Sequence, residues 1–225
     1  MGQGVFVTGT DTGVGKTLIA CALLRAFSAA GRSVVGMKPV AAGSEAGRWA
    51  DVEALNAASS VRAPRRLVSP YAFEPAIAPH IAAELAGARI EIEAIARAYD
   101  ELSRLAEVVV VEGVGGFLVP LDAQNTAADL AQRLALPVVL VVGMRLGCLN
   151  HALLTRAQIE ARGLRCAGWV GNCIVPDMPY LEANIGALKV RLECPLLGVV
   201  PFRPDPDPTS AAALLALEAL REVQA

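Results

Sequence analysis

The sequence predicts an α/β fold, a parallel β-sheet with helices on both faces, and three observations carry that expectation. Apolar runs of strand length alternate with stretches of helical periodicity along the whole chain. Two of those runs, Val108-Val109-Val110-Val111 and residues 137–142, are continuously apolar, as strands buried on both faces of a parallel sheet must be. The third observation is residues 5–17, VFVTGTDTGVGKT. There a β-branched run enters a loop carrying Gly9, Gly13 and Gly15, and the loop leaves through Lys16-Thr17 into a helical pattern.

Strand, glycine-rich loop and helix in that order form a phosphate loop, so the expected architecture is P-loop NTPase-like. Glycines let backbone N–H groups turn around an oxyanion, the helix N-terminus adds partial positive charge, the lysine reaches the β and γ phosphates, and the threonine hydroxyl ligates Mg²⁺. The expected ligand is a nucleoside triphosphate with magnesium. The spacing departs from the usual form by one residue: the first glycine belongs at position 10, which is Thr10, and Gly9 lies one further out.

Following the loop, Leu18, Ile19, Ala22, Leu23, Ala26 and Phe27 recur at helical spacing and Gly31 supplies a stop, which predicts a helix over 16–30. A strand follows at 33–37. Together they form a βαβ unit whose neighbouring strand ends carry Lys16 and Lys38 to one sheet edge. Residues 40–79 are punctuated by Gly43, Gly47, Pro64, Pro70, Pro75 and Pro79 and read as loops over the ligand end of the sheet. They carry one short helix at 48–58. Asp51, near its start, is either a first-turn carboxylate favoured by the helix dipole or a ligand.

Residues 81–105 read as a helix broken at Gly87, with Ile92, Ile95, Tyr99 and Leu102 in a stripe. The valine run then ends in Glu112-Gly113-Val114-Gly115-Gly116, which places an acidic residue where P-loop proteins hold the second carboxylate of a magnesium shell. Helices at 127–134, 149–161 and 178–190 alternate with strands at 137–142, 166–175 and 195–200, and an Ala/Leu-rich helix runs from residue 210. The strand at 166–175 carries Asn172, whose amide suits a base edge. His151 is expected only to cap or pack its helix.

The 225 residues, 54% of them hydrophobic, suffice for one large core, so a single domain over the whole chain is expected. A net charge of −2 with no basic stripe argues against nucleic acid, and no apolar stretch or leader pattern points to a membrane or to export. Five cysteines at irregular spacing, without a C-x-x-C pair, argue against a disulfide framework and against zinc. They suit a reducing cytoplasm.

FVTGTDTGVGKT, MKPVAAGSE, ADVEAL, VVVEGVGGFLVPL, PVVLVVGMRLGCLNHALLT, GWVGN and PLLGVVP follow one another between residues 6 and 201. In these stretches the chain resembles the dethiobiotin synthetase family. The resemblance implies a homodimeric, cytoplasmic, ATP-dependent ligase of biotin synthesis that joins 7,8-diaminononanoate and CO₂ into dethiobiotin, with ADP and phosphate released. It also implies the site. Gly13, Val14, Gly15, Lys16, Thr17 and Leu18 hold the nucleotide; Thr17, Asp51 and Glu112 hold Mg²⁺; Lys38, Lys16 and Thr12 stand at the reacting groups. Gly113, Val114 and Gly115 approach the nucleotide, and Asn172, Cys173 and Pro201 surround the adenine. Thr12, Lys38, Ala42, Asn150 and Tyr180 meet the diamine, Tyr180 from the other subunit. Against the family's pattern, Gly13 replaces an acidic residue found in some relatives, Ala42 a serine and Cys173 an aspartate. These changes imply altered affinity and looser nucleotide selectivity with the reaction unchanged.

Two other readings share parts of this pattern. A switch ATPase of the partitioning or septum-positioning kind has the same fold but carries a lysine five residues before the main one, where this chain has Asp11. Its basic surface or amphipathic membrane tail is also missing from the terminal helix. An amide-forming ligase of the cobyrinate type needs a glutaminase domain for which there is no room.

Overall fold

A computed structural model describes residues 3–221. The first half of the chain forms β1 (Gln3–Gly9), α1 (Lys16–Ala29), β2 (Val34–Met37), β3 (Val40–Ala42), α2 (Ala50–Ala58), α3 (Arg65–Val68), β4 (Tyr71–Phe73), α4 (Pro79–Leu85) and α5 (Ile92–Leu105). The second half forms β5 (Val108–Glu112), α6 (Ala127–Leu134), β6 (Val138–Met144), α7 (Cys148–Ala161), β7 (Cys166–Cys173), α8 (Leu181–Arg191), β8 (Leu196–Val200), α9 (Pro208–Ala212) and α10 (Glu218–Arg221).

Six strands make one parallel sheet in the order β2-β5-β1-β6-β7-β8. Alternate side chains along each strand feed two cores, as the period of two requires. Val5, Val7, Val108, Val110, Val139 and Val141 pack with α1 on one face. Phe6, Val109, Val111, Val138, Leu140 and Val142 pack with α5 and α7 on the other. The layers are helix, sheet, helix, as expected.

The structure corrects three expectations. β2 is not the neighbour of β1, because β5 lies between them and pairs with both. The valine run is buried along its whole length and takes an interior place, which leaves β2 at the rim. Residues 40–79 are not loops alone: β3 and β4 form a small parallel sheet, since the extended residues around Pro39 and Pro70 let Val40 pair with Tyr71. The break expected at Gly87 is there: the glycine stands at φ 62, and residues 88–91 lead from it into α5. The terminal Ala/Leu-rich stretch is also broken. Ala216 N–H donates to Leu197 O at 2.8 Å, so the chain there covers the rim strand β8 rather than continuing a helix.

At the opposite rim, Ser60 and Ser59 side chains accept from Val34 and Gly36 N–H at 2.9 Å each, which blunts β2. A Cβ on Gly36 would lie 2.9 Å from Leu55, so the glycine lets α2 press against β2. That packing carries Asp51 to the site.

Candidate active site

The carboxyl ends of β1, β2 and β5 converge on one place, the end of an open α/β sheet where ligands bind. From β1 the chain turns through Gly13 (φ 74) and Gly15 (φ 89) into α1, for which Gly15 is the N-cap residue. Glycine is required at position 15 twice over: the backbone is left-handed, and a Cβ would lie 2.1 Å from Asn172 Nδ2. Asn172, brought in at the end of β7, donates that amide to Val14 O at 2.9 Å and braces the loop from below. No side chain caps α1 and no acidic residue stands in its first turn. Its leading N–H groups are therefore free to meet an anion.

The charged groups lock together beneath the loop. Glu112, at the end of β5, accepts at Oε1 from Lys38 Nζ at 2.6 Å and from Thr17 Oγ1 at 2.8 Å. Lys38, one residue beyond β2, also reaches Asp51 Oδ2 at 3.0 Å and Gly113 O at 3.2 Å. Lys16 donates to Asp11 O at 2.9 Å. Glu112, Lys38 and Lys16 are buried, at 1%, 4% and 7% exposure, so their charges act on one another with little screening by water. Burial, and after it the charge of Lys38, lowers the pKa of Lys16 to about 8. Burial alone would lower Lys38 as well, but Glu112 and Asp51 outweigh it and hold its pKa above the ordinary lysine value.

One atom of this cluster is left over. Among the described residues, Glu112 Oε2 is buried without a hydrogen-bond partner. A carboxylate oxygen in that condition suits a cation, and with the Thr17 hydroxyl and Asp51 it supplies only hard oxygen donors, the set Mg²⁺ prefers. Asp51 lies in the first turn of α2 but caps nothing outside its own neighbourhood: Oδ1 accepts from Val52 N–H, while Oδ2 turns to Lys38.

A family model described as an AAA domain matches residues 3–210. The chain is 55% identical over 215 residues to an ATP-dependent dethiobiotin synthetase of Nitrosospira multiformis, covering 96% of this chain and 95% of that protein. It is 52% identical over 216 residues to the corresponding protein of Aromatoleum aromaticum, covering 94% and 96%. The chain belongs to the ATP-dependent dethiobiotin synthetase family. Its fold is also that of the septum site-determining protein MinD of Pyrococcus horikoshii, solved with Mg-ADP. That likeness has a TM-score of 0.58 at 15% identity, over 99% of this chain and 90% of that one. MinD is thus related to this chain in fold, and at a distance.

The remaining residues suggested by the resemblance fall into three groups. Thr12, Gly13, Val14 and Gly15 form the phosphate loop itself, with Thr12 and Gly13 exposed and Val14 buried against the sheet. Gly113 continues β5, its N–H donating to Val7 O at 2.9 Å, and Val114 and Gly115 follow, half-buried, with Gly115 at φ 60. Leu18 and Pro201 line one crevice together with Arg203 and Asp207. Ala42 ends β3 and is half-buried. Cys173 is buried in the core at the end of β7. Asn150, in the first turn of α7, and Tyr180, ahead of α8, are exposed, and no hydrogen bond among the described residues ties either to the lysine cluster. His151 sits in the first turn of α7 and is half-buried.

Sequence reasoning missed Arg145. It stands just past β6 and its guanidinium reaches Asp11 Oδ2 at 3.0 Å, while Asp11 Oδ1 accepts from Thr12 N–H at 2.7 Å. The signal was its place at the ligand end of a buried strand. Its partner was unreadable, because loop geometry decides it.

Proposed function

We propose that this chain is an ATP-dependent dethiobiotin synthetase, closing the ureido ring of dethiobiotin from 7,8-diaminononanoate, CO₂ and ATP. The family membership supports the reaction, and one observation carries the mechanism: Lys38 bridges Glu112 and Asp51 beside the phosphate-loop lysine and threonine. In our reading the first amine takes up CO₂ as a carbamate, and a carbamate oxygen attacks the γ-phosphorus as the bond to ADP breaks. The second amine then attacks the carbonyl carbon of the mixed anhydride, and phosphate leaves. Both steps gather negative charge on phosphoryl and carbamate oxygens, so cations and aligned N–H groups are the chemistry required. A carbamate is already anionic. No histidine base is needed to activate it.

Lys16 and the N-terminus of α1 would hold the β and γ phosphates, with Gly13, Val14, Gly15 and Leu18 shaping the cradle. Lys38, whose charge is secured by its two carboxylates, would meet the reacting oxygens with Thr12. Thr17, Glu112 and Asp51 would hold Mg²⁺, which when bound neutralises charge on the phosphates. Gly113, Val114 and Gly115 would border the nucleotide, and Leu18, Asn172, Cys173 and Pro201 would bound its base. The amide Asn172 donates to Val14 leaves its carbonyl oxygen and one amide hydrogen for that task.

We assign the diamine's carboxylate end to Asn150 and to Tyr180 of a second copy, in a cytoplasmic homodimer. Exposure of Tyr180 at 84% and Leu146 at 95%, near Asn150 in sequence, supports a surface that a partner covers. The deciding experiment incubates the protein with diaminononanoate, bicarbonate and Mg-ATP. Dethiobiotin by mass, with phosphate release that depends on the diamine, is the expected result. ATP hydrolysis indifferent to the diamine would overturn the reading in favour of a switch ATPase.

A further inference from the structure

We propose that Cys166 and Cys194 form a peroxide-oxidisable dithiol, a modification site that closes to an intramolecular disulfide within the existing fold. Their sulfurs lie 3.0 Å apart. The backbone enforces the approach. Cys166 opens β7, and Trp169 N–H, three residues on, donates to Pro195 O at 2.9 Å. Cys194 therefore enters beside β7 one residue before that anchor. Glu193, immediately before it, takes a left-handed conformation at φ 50, which is unusual for a residue with a Cβ and turns the chain toward Cys166.

The two thiols are unlike. Cys166 is buried at 7% exposure, whereas Cys194 is half-buried in the turn between α8 and β8. Arg156 of α7 stands over that turn, its Nε donating to Leu192 O at 3.0 Å. The hydrogen bond with Cys166 and the charge of Arg156 lower the Cys194 thiol pKa, while the same pairing and burial raise that of Cys166. The accessible cysteine is thus the better nucleophile and the buried one is placed to resolve it, the arrangement of an oxidation-sensitive pair.

The chemistry balances with hydrogen peroxide as oxidant. The Cys194 thiolate attacks one peroxide oxygen, the O–O bond breaks, and the departing hydroxide takes a proton to leave as water. Cys166 sulfur then attacks the sulfenic sulfur of Cys194. The S–S bond forms, the S–O bond breaks, and the hydroxide leaves as water with the Cys166 proton. Two electrons pass from the dithiol to the peroxide, and two thiols with one peroxide give one disulfide and two waters. The other three cysteines, Cys21, Cys148 and Cys173, are buried and free. The cross-link would tie the rim strand β8 to β7. It lies about 20 Å along β7 from Asn172, so the phosphate loop is not disturbed.

The test treats the full chain with hydrogen peroxide, then counts thiols under denaturing conditions and measures intact mass. The expected result is a fall from five titratable thiols to three. It comes with a mass loss of about 2 Da, a proteolytic fragment linking Cys166 to Cys194, and reversal by dithiothreitol. Cys194→Ser should abolish the mass loss. Cys166→Ser should leave Cys194 to gain about 16 or 32 Da instead. A wild-type protein that keeps all its thiols, gains oxygen mass without losing two hydrogens, or cross-links between chains on a non-reducing gel would overturn the proposal.

Discussion

Glu112 meets two partners through one oxygen: Lys38 and Thr17 share Oε1, and among the described residues Oε2 has none. Two lysine variants separate the roles around it. Lys38→Met leaves Glu112 buried without its ammonium and with Asp51 nearby. The free protein should be destabilised by about 3–5 kcal/mol, the scale for breaking a buried ion pair from one side. Added Mg²⁺ should raise the Tm of that variant more than it raises the wild type's. Equal shifts would deny the carboxylates a cation role. Lys16 behaves in the opposite way. Its folded pKa, about 8, lies below the unfolded value of 10.5, so its burial as a cation works against folding below pH 8. Above that, the unfolded chain binds the extra proton and stability rises with pH until about 10.5. Lys16→Met keeps the stem and removes the charge. It should raise stability at pH 7 by up to roughly 3 kcal/mol, an advantage that fades toward pH 10.5, while ATP turnover is lost. Thermal melts of both proteins across that range check the sign.

At the scale of elements, the phosphate loop depends on a strand far away in sequence. Asn172→Ala removes the donor to Val14 O and should cost about 1–3 kcal/mol, with a larger KM for ATP as the loop slackens. Gly15→Ala meets both the φ of 89 and the Asn172 amide, so it should impair nucleotide binding more than Gly13→Ala, whose Cβ meets nothing within 4 Å. Nucleotide titration of the three variants checks the ranking. The loop, α1 and the doubly buried β5 and β6 were legible in the sequence because glycines, Lys16-Thr17 and unbroken valine runs admit few other conformations. Lys38, Asp51 and Glu112 were legible as candidates from their places at element ends. Their mutual contacts were not, since β5 inserts between β1 and β2 by a long-range pairing that no local pattern encodes. The same holds for the β3–β4 sheet, the break at residues 213–217, and the Arg145 to Asp11 pair.

For the whole molecule, the sheet acts as a frame that brings cations from β2 and α1 and carboxylates from α2 and β5 to one edge. No histidine enters that cluster, and among the described residues no group of three or more His, Cys, Asp or Glu side chains could hold a metal by itself. On the proposed function, Mg²⁺ should be held weakly without nucleotide and tightly with it, since triphosphate oxygens would complete its shell. Calorimetry of Mg²⁺ with and without a non-hydrolysable ATP analogue checks this. The central claim is that Lys38 stabilises charge on the reacting oxygens and does not merely neutralise its carboxylates. Diamine-dependent phosphate release by Lys38→Met, measured at saturating Mg-ATP with the variant shown to be folded, tests it most directly. A fall in kcat of about 10²–10³ or more is the expected result, the scale for losing one electrostatic contact in a transition state. A folded variant turning over at the wild-type rate would contradict it.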